Sequence, residues 1–267
     1  MLDLNTPLKS IVEYNYEIYE TNFYEYAPGN YIFYDAGDEL SFNYSPPKSC
    51  KFRVSNSFSD KFDFFFKPAV KPNTRLGQGR PKGGLYFAWK KDQVRKSTRL
   101  STEIFRIQAV ILKYENCKLL LINTYFPCDT QKLVLSDAEA VDLQSLLTEI
   151  ISLKTKNSKK YDTAIVLGDI NYDNLRYTGH TQAVNNFLES ERMASVWDFF
   201  PADFTFSSGN SFSTIDHFFI STTQSFIILE AGPIHDPDNM SGHCPIYLKV
   251  DLPRQTILQR NFPGTLD

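Results

Sequence analysis

The sequence predicts an α/β fold in which sheets are flanked by helices, and three observations carry that prediction. The first is the apolar run 164–167, which has β-branched residues at its centre and is typical of a strand buried on both faces. The second is a helix opened by a capping box of Ser136 and Glu139. The third is the order of elements, which runs strands, helix, strand, helix, strands and fits two sheets packed face to face.

The remaining elements follow from local patterns. An apolar stripe carries the first helix to Lys154, and it consists of Val141, Leu143, Leu146, Leu147, Ile150 and Ile151. A second helix is predicted at 181–191, with Val184, Phe187 and Leu188 on one face. Residues 1–17 are weakly patterned, and Leu8, Ile11 and Val12 suggest the end of a helix. Strands are predicted at 17–23, 31–34, 85–89, 105–112, 118–123, 214–221, 226–230 and 245–250.

We expect a single domain over residues 1–267. Residues 38–80 lack clear periodicity and are interpreted as an insertion or surface excursion, and 252–267 as a tail. The composition, with 42% apolar and 22% charged residues, is that of a soluble globular protein. The four cysteines show no CxxC spacing and are expected to be reduced thiols. No signal peptide or membrane-spanning run is evident, so an intracellular protein that does not contact membranes is expected.

Charge is unevenly distributed, although the net charge of −3 excludes a polyelectrolyte binder as a whole. Between Lys67 and Arg99 a single acid, Asp92, stands against Lys71, Arg75, Arg80, Lys82, Lys90, Lys91, Arg95 and Lys96. Such a basic strip fits a polyanionic partner, and it equally fits a solvated face that aids solubility.

Candidate functional side chains stand at or near the ends of predicted strands. Asp169 and Asn171 follow the central strand two residues apart, and in extended backbone their side chains point the same way. Each candidate taken alone also fits a surface, turn or packing role, and either Asp216 or the adjacent His217 must face away from a shared site. Strand ends converge within a sheet, so we expect these residues to meet: Glu20, Tyr125, Asp169, Asn171, Asp216 and His243.

The crowding of three acids predicts a cation. If Glu20, Asp169 and Asp216 gather within about 5 Å, each pair repels by roughly 3 kcal/mol at an effective dielectric constant near 20. A divalent cation, a histidinium or raised carboxylate pKa values would relieve that repulsion. Oxygen ligands with one amide favour Mg²⁺ or Mn²⁺ over Zn²⁺, and a hard cation beside carboxylates and a histidine is suited to phosphoester hydrolysis.

Several segments together, in this order, resemble one known pattern. They are YETNF at 19–23, RPKGGLYF at 80–87, LINTYFP at 121–127, VLGDIN at 166–171, FTFSSGNSFSTIDHFFIS at 204–221 and SGHCPI at 241–246. The chain resembles the endonuclease/exonuclease/phosphatase superfamily, which has the DNase I-like fold, and looks closest to the apurinic-type endonuclease domain of non-LTR retrotransposons. The resemblance covers roughly residues 18 to 251 and implies a four-layer α/β sandwich of two mixed sheets with helices outside.

The resemblance also implies roles for individual residues. Glu20 matches a metal ligand, Tyr125 a contact to the scissile phosphate, and Asp169 the carboxylate that activates the attacking water. Asn171 matches the amide that supports the transition state, and it would hold the metal together with Glu20 and Asp169. Asp216 matches the acid that orients the catalytic His243. Nucleic-acid contacts are implied for Arg80, Lys82 and Thr205.

Two departures from the family pattern stand out. Only nineteen residues precede Glu20, so the family's first strand and its metal-side Asn are expected to be absent. Gly242 stands where the family usually has an Asp between the Ser and the His. Both changes would weaken cation binding, and a truncated or decayed copy of a mobile element would carry them.

Two function hypotheses therefore stand. The first is a Mg²⁺-dependent (or Mn²⁺-dependent) phosphodiesterase that nicks DNA, a retrotransposon-type endonuclease whose parent polyprotein also carries a reverse transcriptase and which acts in the nucleus on genomic DNA. The second is a catalytically dead, nucleic-acid-binding remnant of the same fold. A phosphoinositide phosphatase or a sphingomyelinase-like enzyme is disfavoured by the RPKGG and SGHCP segments.

Overall fold

The protein is described here by a computed structural model. It describes residues 60–67, 84–223, 226–237, 239 and 241–252, together with the backbone of the strands at 7–14, 17–24 and 30–34. Among these residues, no helix combines the length and the apolar character needed to cross a membrane.

A mixed sheet of six strands forms the centre of the described fold. Its strands are β6 (Lys96–Leu100), β7 (Ile107–Lys113), β8 (Lys118–Tyr125), β9 (Thr163–Asp169), β10 (Met193–Ser195) and β13 (Asp216–Ser221). Their order in the sheet is β10–β13–β9–β8–β7–β6. β8 and β9 are parallel, and the other neighbours are antiparallel.

The other strands form smaller sheets. They are β1 (Pro7–Tyr14), β2 (Glu17–Tyr24), β3 (Asn30–Tyr34), β4 (Phe62–Lys67), β5 (Leu85–Lys90), β11 (Phe206–Ser208), β12 (Ser211–Ser213), β14 (Ile227–Pro233) and β15 (Ile246–Asp251). A three-stranded sheet has the order β14–β15–β3, and the pairs β1–β2, β4–β5 and β11–β12 are antiparallel.

Two helices cover one face of the six-stranded sheet. Helix α1 (Asp137–Lys156) begins with the predicted capping box, in which Ser136 and Glu139 bond each other's backbone N–H groups. Helix α2 (Gly179–Ser190) begins at Thr178, whose hydroxyl accepts a hydrogen bond from the N–H of Thr181. Both helices bury an apolar face. A one-turn 3₁₀ helix follows at 196–198.

The central sheet separates two hydrophobic cores because its side chains alternate between faces. On β9, Ala164 and Val166 pack in the core beneath α1 and α2. Ile165 and Leu167 point the other way and pack in the core shared with β5 and β15. All seven residues of β9 are buried, as a strand covered on both faces requires.

The predicted fold class, an α/β sandwich of packed sheets flanked by helices, is confirmed. Of its four expected layers, the described residues provide three: the α1–α2 layer, the six-stranded sheet and the strands that pack on the opposite face. The predicted hairpin of β7 and β8 and the strand and helix at the centre of the chain are also present.

Some local predictions were wrong. Leu8, Ile11 and Val12 lie in a strand, because the eight residues of β1 pair along their whole length with β2. Val141 is 65% exposed and does not belong to the buried stripe of α1. The strand β4, which lies within residues 38–80, was not predicted, and the short strands β6, β10, β11 and β12 were missed because they are too brief to show a period. The interpretation of 38–80 as an insertion or surface excursion stays a prediction.

Gly168 lies within β9 with a φ angle of +137°, where a side chain is strained. A Cβ atom placed on it would meet the carbonyl oxygen of Thr124 at 1.9 Å. A larger residue would therefore push β9 away from β8 at the point where Asp169 follows.

We predict that Gly168→Ala lowers the free energy of unfolding by about 3 kcal/mol or more, because it adds both backbone strain and a clash with backbone atoms. Gly209→Ala is the matched control, since Gly209 also has a positive φ of +58° but no atom lies within 4 Å of its Cβ position. The control should lose about 1 kcal/mol in urea unfolding. Equal losses in the two variants would contradict the close-approach argument.

Candidate active site

Strand register brings three of the predicted site residues into one row. Tyr125 on β8 is the cross-strand partner of Asp169 on β9, and Asp169 is in turn the partner of Asp216 on β13. Cross-strand partners carry their side chains on neighbouring positions of the sheet. The row lies at the ends of β8 and β9 and at the start of β13, so the two carboxylates and the phenol meet at one edge of the central sheet.

The turn after β9 fixes Asp169 and Asn171. The backbone N–H of Asn171 donates to Asp169 Oδ1 at 3.0 Å, and its side-chain Nδ2 donates to the carbonyl oxygen of Phe126 at 3.1 Å. Asn171 has a left-handed φ of +49°. The expectation that both side chains lie along extended backbone was therefore wrong, although both residues line the same cavity. With Nδ2 engaged, the amide oxygen is the end of Asn171 suited to bind a cation.

His243 and Asp216 form a buried pair. His243 Nδ1 lies 2.9 Å from Asp216 Oδ2, and the two side chains are 5% and 0% exposed. Nδ1–H donates to the carboxylate, which fixes the tautomer and the orientation of the imidazole ring. His243 lines the cavity, while Asp216 lies behind it. The pair thus has the geometry of an oriented acid–base histidine.

Thr205 holds the His243 segment to the start of β13. Its hydroxyl oxygen accepts hydrogen bonds from the backbone N–H groups of Ile215 and Asp216 at 2.9 and 3.0 Å. Its carbonyl oxygen accepts the N–H of Cys244 at 2.7 Å. Thr205 has no solvent exposure. The expectation that its hydroxyl faces DNA is therefore wrong, because the oxygen is buried and used within the fold.

Phe206 supports the same histidine. It forms an isolated β-bridge with His243, and the two rings lie with their centroids 4.7 Å apart. Sequence reasoning missed this contact because only the fold brings the two residues together.

Tyr125 presents a protonated hydroxyl to the cavity. Its oxygen lies 3.9 Å from Cys128 Sγ, and the guanidinium of Arg106 lies 5.3 Å from its ring centroid. Burial raises the pKa of Tyr125 well above its ordinary value, and the nearby Cys128 and Asp169 act in the same direction, whereas Arg106 opposes them. The phenol is therefore a hydrogen-bond donor at neutral pH.

These side chains open on a cavity of about 350 Å³. Tyr125, Asp169, Asn171 and His243 all line it, so the structure brings together four of the predicted residues. The cavity is also lined by residues that sequence reasoning did not single out, which include Asp129, Gln131, Arg176, Ser211 and Ser213. Arg176 follows Asn171 by five residues, and that proximity was the one signal that could have drawn attention to it.

Other predicted residues lie outside the part of the chain whose side chains are described. Glu20 is in β2, where its backbone pairs with Ile11, and its side chain is not described. Arg80 and Lys82 lie outside the described residues altogether. The roles of these three residues stay predictions.

The described oxygen donors of the cavity are of the chemical type that binds a hard divalent cation. Asp169 offers a carboxylate and Asn171 an amide oxygen at one wall of the cavity, which are the ligand types of Mg²⁺ and Mn²⁺. Among the side chains that the structure describes, no three His, Cys, Asp or Glu residues group as a metal centre. The third predicted ligand is Glu20, and its part in binding a cation stays a prediction.

His217 faces away from Asp216 into the protein, as adjacent strand residues must. Its Nε2–H donates to the carbonyl oxygens of Tyr172 and Thr214 at 2.8 and 2.9 Å. Its Nδ1 accepts a hydrogen bond from the Ser195 hydroxyl at 3.0 Å. Burial lowers the pKa of His217 to about 4 despite these carbonyls. The ring is therefore a neutral structural element.

The two remaining histidines differ from each other. The sequence favours loop positions for both, but His180 lies in the first turn of α2 and is 2% exposed, so that prediction was wrong for His180. Its Nε2–H donates to the carbonyl oxygen of Ile170. His235 is exposed in a loop and connects the carboxylate of Asp203 to the thiol of Cys244.

The comparisons with known proteins agree with this architecture. Residues 119–247, just under half of the chain, match a family model described as "Endonuclease-reverse transcriptase". An endonuclease/exonuclease/phosphatase family protein from Leptotrichia buccalis has a similar structure, with a TM-score of 0.55 and 12% identity over 83% of this chain and 87% of that one. An AP endonuclease from Leishmania major has a TM-score of 0.53 and 17% identity over 73% and 72%. No curated protein matches the sequence.

These findings give the chain the DNase I-like fold of the endonuclease/exonuclease/phosphatase superfamily. They confirm the superfamily resemblance that the sequence motifs indicated.

We predict that Thr205→Val lowers the free energy of unfolding by about 2–4 kcal/mol, because two buried backbone N–H groups lose their acceptor. Thr205→Ser keeps the hydroxyl and loses one methyl group, so it should lose about 1 kcal/mol. Chemical denaturation of both variants tests this difference. If the serine variant were as unstable as the valine variant, the hydroxyl would not be the stabilising group.

We also predict an acid-dependent loss of stability that originates at His217. Its folded-state pKa is about 4, below the ordinary value of about 6.5, so only the unfolded chain takes up the proton between these values. Stability therefore falls by up to about 3 kcal/mol as the pH drops from 6.5 to 4. His217→Gln, which cannot titrate, should show a shallower decline in urea unfolding over this pH range. Identical pH slopes for the two proteins would overturn this assignment.

Proposed function

We propose that this chain hydrolyses phosphodiester bonds of DNA with the help of Mg²⁺ or Mn²⁺, nicking one strand as an endonuclease. The observation that carries the proposal is the convergence of Tyr125, Asp169, Asn171 and His243 on one cavity, with Asp216 bonded to His243 from behind. Two carboxylates, an amide, a phenol and an oriented histidine are the groups that hydrolysis of a phosphodiester employs.

The fold and the family model fit a metal-dependent nuclease or phosphodiesterase. The wording of the family model, which couples an endonuclease with a reverse transcriptase, supports the narrower proposal of a retrotransposon-type enzyme. On that proposal a reverse transcriptase belongs to the same parent polyprotein, and the enzyme acts on genomic DNA in the nucleus.

Each residue has a distinct part in the proposed reaction. When bound, the divalent cation supplies positive charge that stabilises the developing charge on the phosphoryl and leaving oxygens. Asp169 accepts the proton of the attacking water, and its orientation is held by the N–H of Asn171. Tyr125 donates its hydroxyl proton in a hydrogen bond to a phosphate oxygen. His243, oriented by Asp216, stabilises the charge that builds on the phosphate.

A catalytically dead, nucleic-acid-binding remnant is the second candidate. It is favoured by Gly242, which supplies no carboxylate at the position where the family usually has one beside its histidine. A remnant would bind DNA through charge alone, and its affinity would fall steeply with salt.

We predict that the wild-type chain nicks supercoiled plasmid in Mg²⁺ and that Asp169→Asn lowers the rate at least about 100-fold, because the general base is lost. Asp92→Asn is the matched control, since Asp92 is an exposed residue of the turn between β5 and β6. The measurement is the rate of conversion to open circles in gels, with urea unfolding to verify that each variant is folded.

Equal nicking by wild type and Asp169→Asn would contradict the proposed enzyme. Plasmid binding without any nicking, weakened strongly by salt, would support the remnant instead.

A further inference from the structure

The loop between β9 and α2 exposes two large apolar side chains. Leu175 is 90% exposed and Tyr177 is 84% exposed, the highest values among the large apolar residues that the structure describes. Single exposed apolar residues are ordinary on protein surfaces. This pair differs from such residues in its position beside the cavity and in the hydrogen bonds that hold its loop. We call Leu175, Arg176 and Tyr177 the 175–177 tip.

The 175–177 tip is held firmly at both ends. Asp173 and Thr178, which flank it, are 6% and 8% exposed. Asp173 Oδ1 accepts the N–H of Leu175 at 3.0 Å, and the Asp173 carbonyl oxygen accepts the N–H of Arg176 at 3.0 Å. On the other side the Thr178 hydroxyl donates to Asp129 Oδ2 at 3.0 Å. The exposed side chains are therefore presented by a fixed turn.

The tip also borders the cavity. Arg176 lines the cavity, and its Nε lies 3.5 Å from the buried carboxylate of Asp173. It is the one lysine or arginine among the described cavity-lining residues, whereas Asp129 and Asp169 bring negative charge there. The Arg176 side chain is 34% exposed and brings a positive charge to the cavity wall, and a guanidinium is a group that binds phosphate oxygens.

A second apolar pair lies on the adjoining loop. Leu133 and Val134 are 67% and 79% exposed. The N–H of Gly179 donates to the carbonyl oxygen of Lys132 at 2.8 Å, which ties this loop to the segment that follows the tip. Two exposed apolar pairs thus lie on connected loops, and one of these loops carries the cavity-lining Arg176.

We propose that the 175–177 tip binds unstacked nucleobases beside the scissile phosphodiester, with Leu175 and Tyr177 packing on base faces and Arg176 contacting an adjacent phosphate. In a regular duplex the base faces are stacked on one another, so they are not accessible to the apolar side chains of the tip. Single strands and displaced nucleotides expose those faces, and aromatic side chains such as Tyr177 stack on them, with Leu175 adding apolar contact. The preferred substrate is therefore DNA with unpaired or displaced nucleotides at the cleavage position, an inference that rests on the proposed function.

The test compares the double variant Leu175→Ser/Tyr177→Ser with wild type in two assays. The first is binding of a fluorescein-labelled single-stranded oligonucleotide and of its fully paired duplex, at one fixed salt concentration in EDTA so that nothing is cleaved. The second is Mg²⁺-dependent hydrolysis of bis(p-nitrophenyl) phosphate, a diester without bases. The matched control is Phe199→Ser/Ile227→Ser, because these residues are 58% and 66% exposed and do not line the cavity.

We expect the tip variant to bind the single strand about tenfold or more weakly, since a base stacked on a side chain contributes strongly to affinity. Its duplex affinity and its hydrolysis of the small diester should stay within about twofold of wild type and of the control. Unchanged single-strand affinity, or an equal loss for single strand and duplex, would overturn the proposal.

The two proposals fail in different ways. If wild type hydrolyses neither plasmid nor the small diester, the proposed function fails. The difference in single-strand affinity between wild type and the tip variant still decides whether the tip binds bases. If wild type hydrolyses the small diester and the tip variant binds the single strand normally, the enzyme proposal stands and the tip proposal is wrong.

Discussion

The close approach of Gly168 to the carbonyl oxygen of Thr124 is the constraint on which the candidate site depends. It lets β9 run beside β8 up to Asp169, so that Tyr125, Asp169 and Asp216 occupy one row of the sheet. Because the residue after Gly168 carries the central carboxylate, any displacement of the two strands would move that carboxylate relative to the phenol on one side and the second acid on the other. The positive φ of Gly168 is the conformational requirement for this arrangement.

The second level of organisation is the set of hydrogen bonds that converge on the start of β13. Thr205 accepts two backbone N–H groups there and also accepts the N–H of Cys244, so one residue ties the strand that carries Asp216 to the loop that carries His243. A buried carboxylate and imidazole are tolerated because they are bonded to each other. The hydroxyl of Thr205 therefore contributes to the site through the backbone, without facing the cavity.

Sequence patterns predicted the long elements well. The capping box and the apolar stripe predicted α1, and the run of apolar residues predicted a β9 buried on both faces. Short strands such as β10 and β11 gave no period to detect, and β1 was missed because eight weakly patterned residues become a strand only through their pairing with β2. At the site, residue types predicted Asp169, Asn171 and His243 as neighbours of one cavity. Arg176 carried no motif, and the contact of Phe206 with His243 was found only in the structure.

The sequence by itself determined the fold class, the resemblance to the superfamily and the set of polar residues at strand ends, because apolar periodicity, capping and motif order are properties of contiguous residues. Only the tertiary structure decided which atoms of those residues are available. It turned Thr205 inward as a hydrogen-bond acceptor, engaged the amide nitrogen of Asn171, and left Leu175 and Tyr177 exposed on a fixed turn. Burial and hydrogen-bond partners depend on residues far away in the chain, so they are decided by how the strands and loops pack and cannot be read from local sequence.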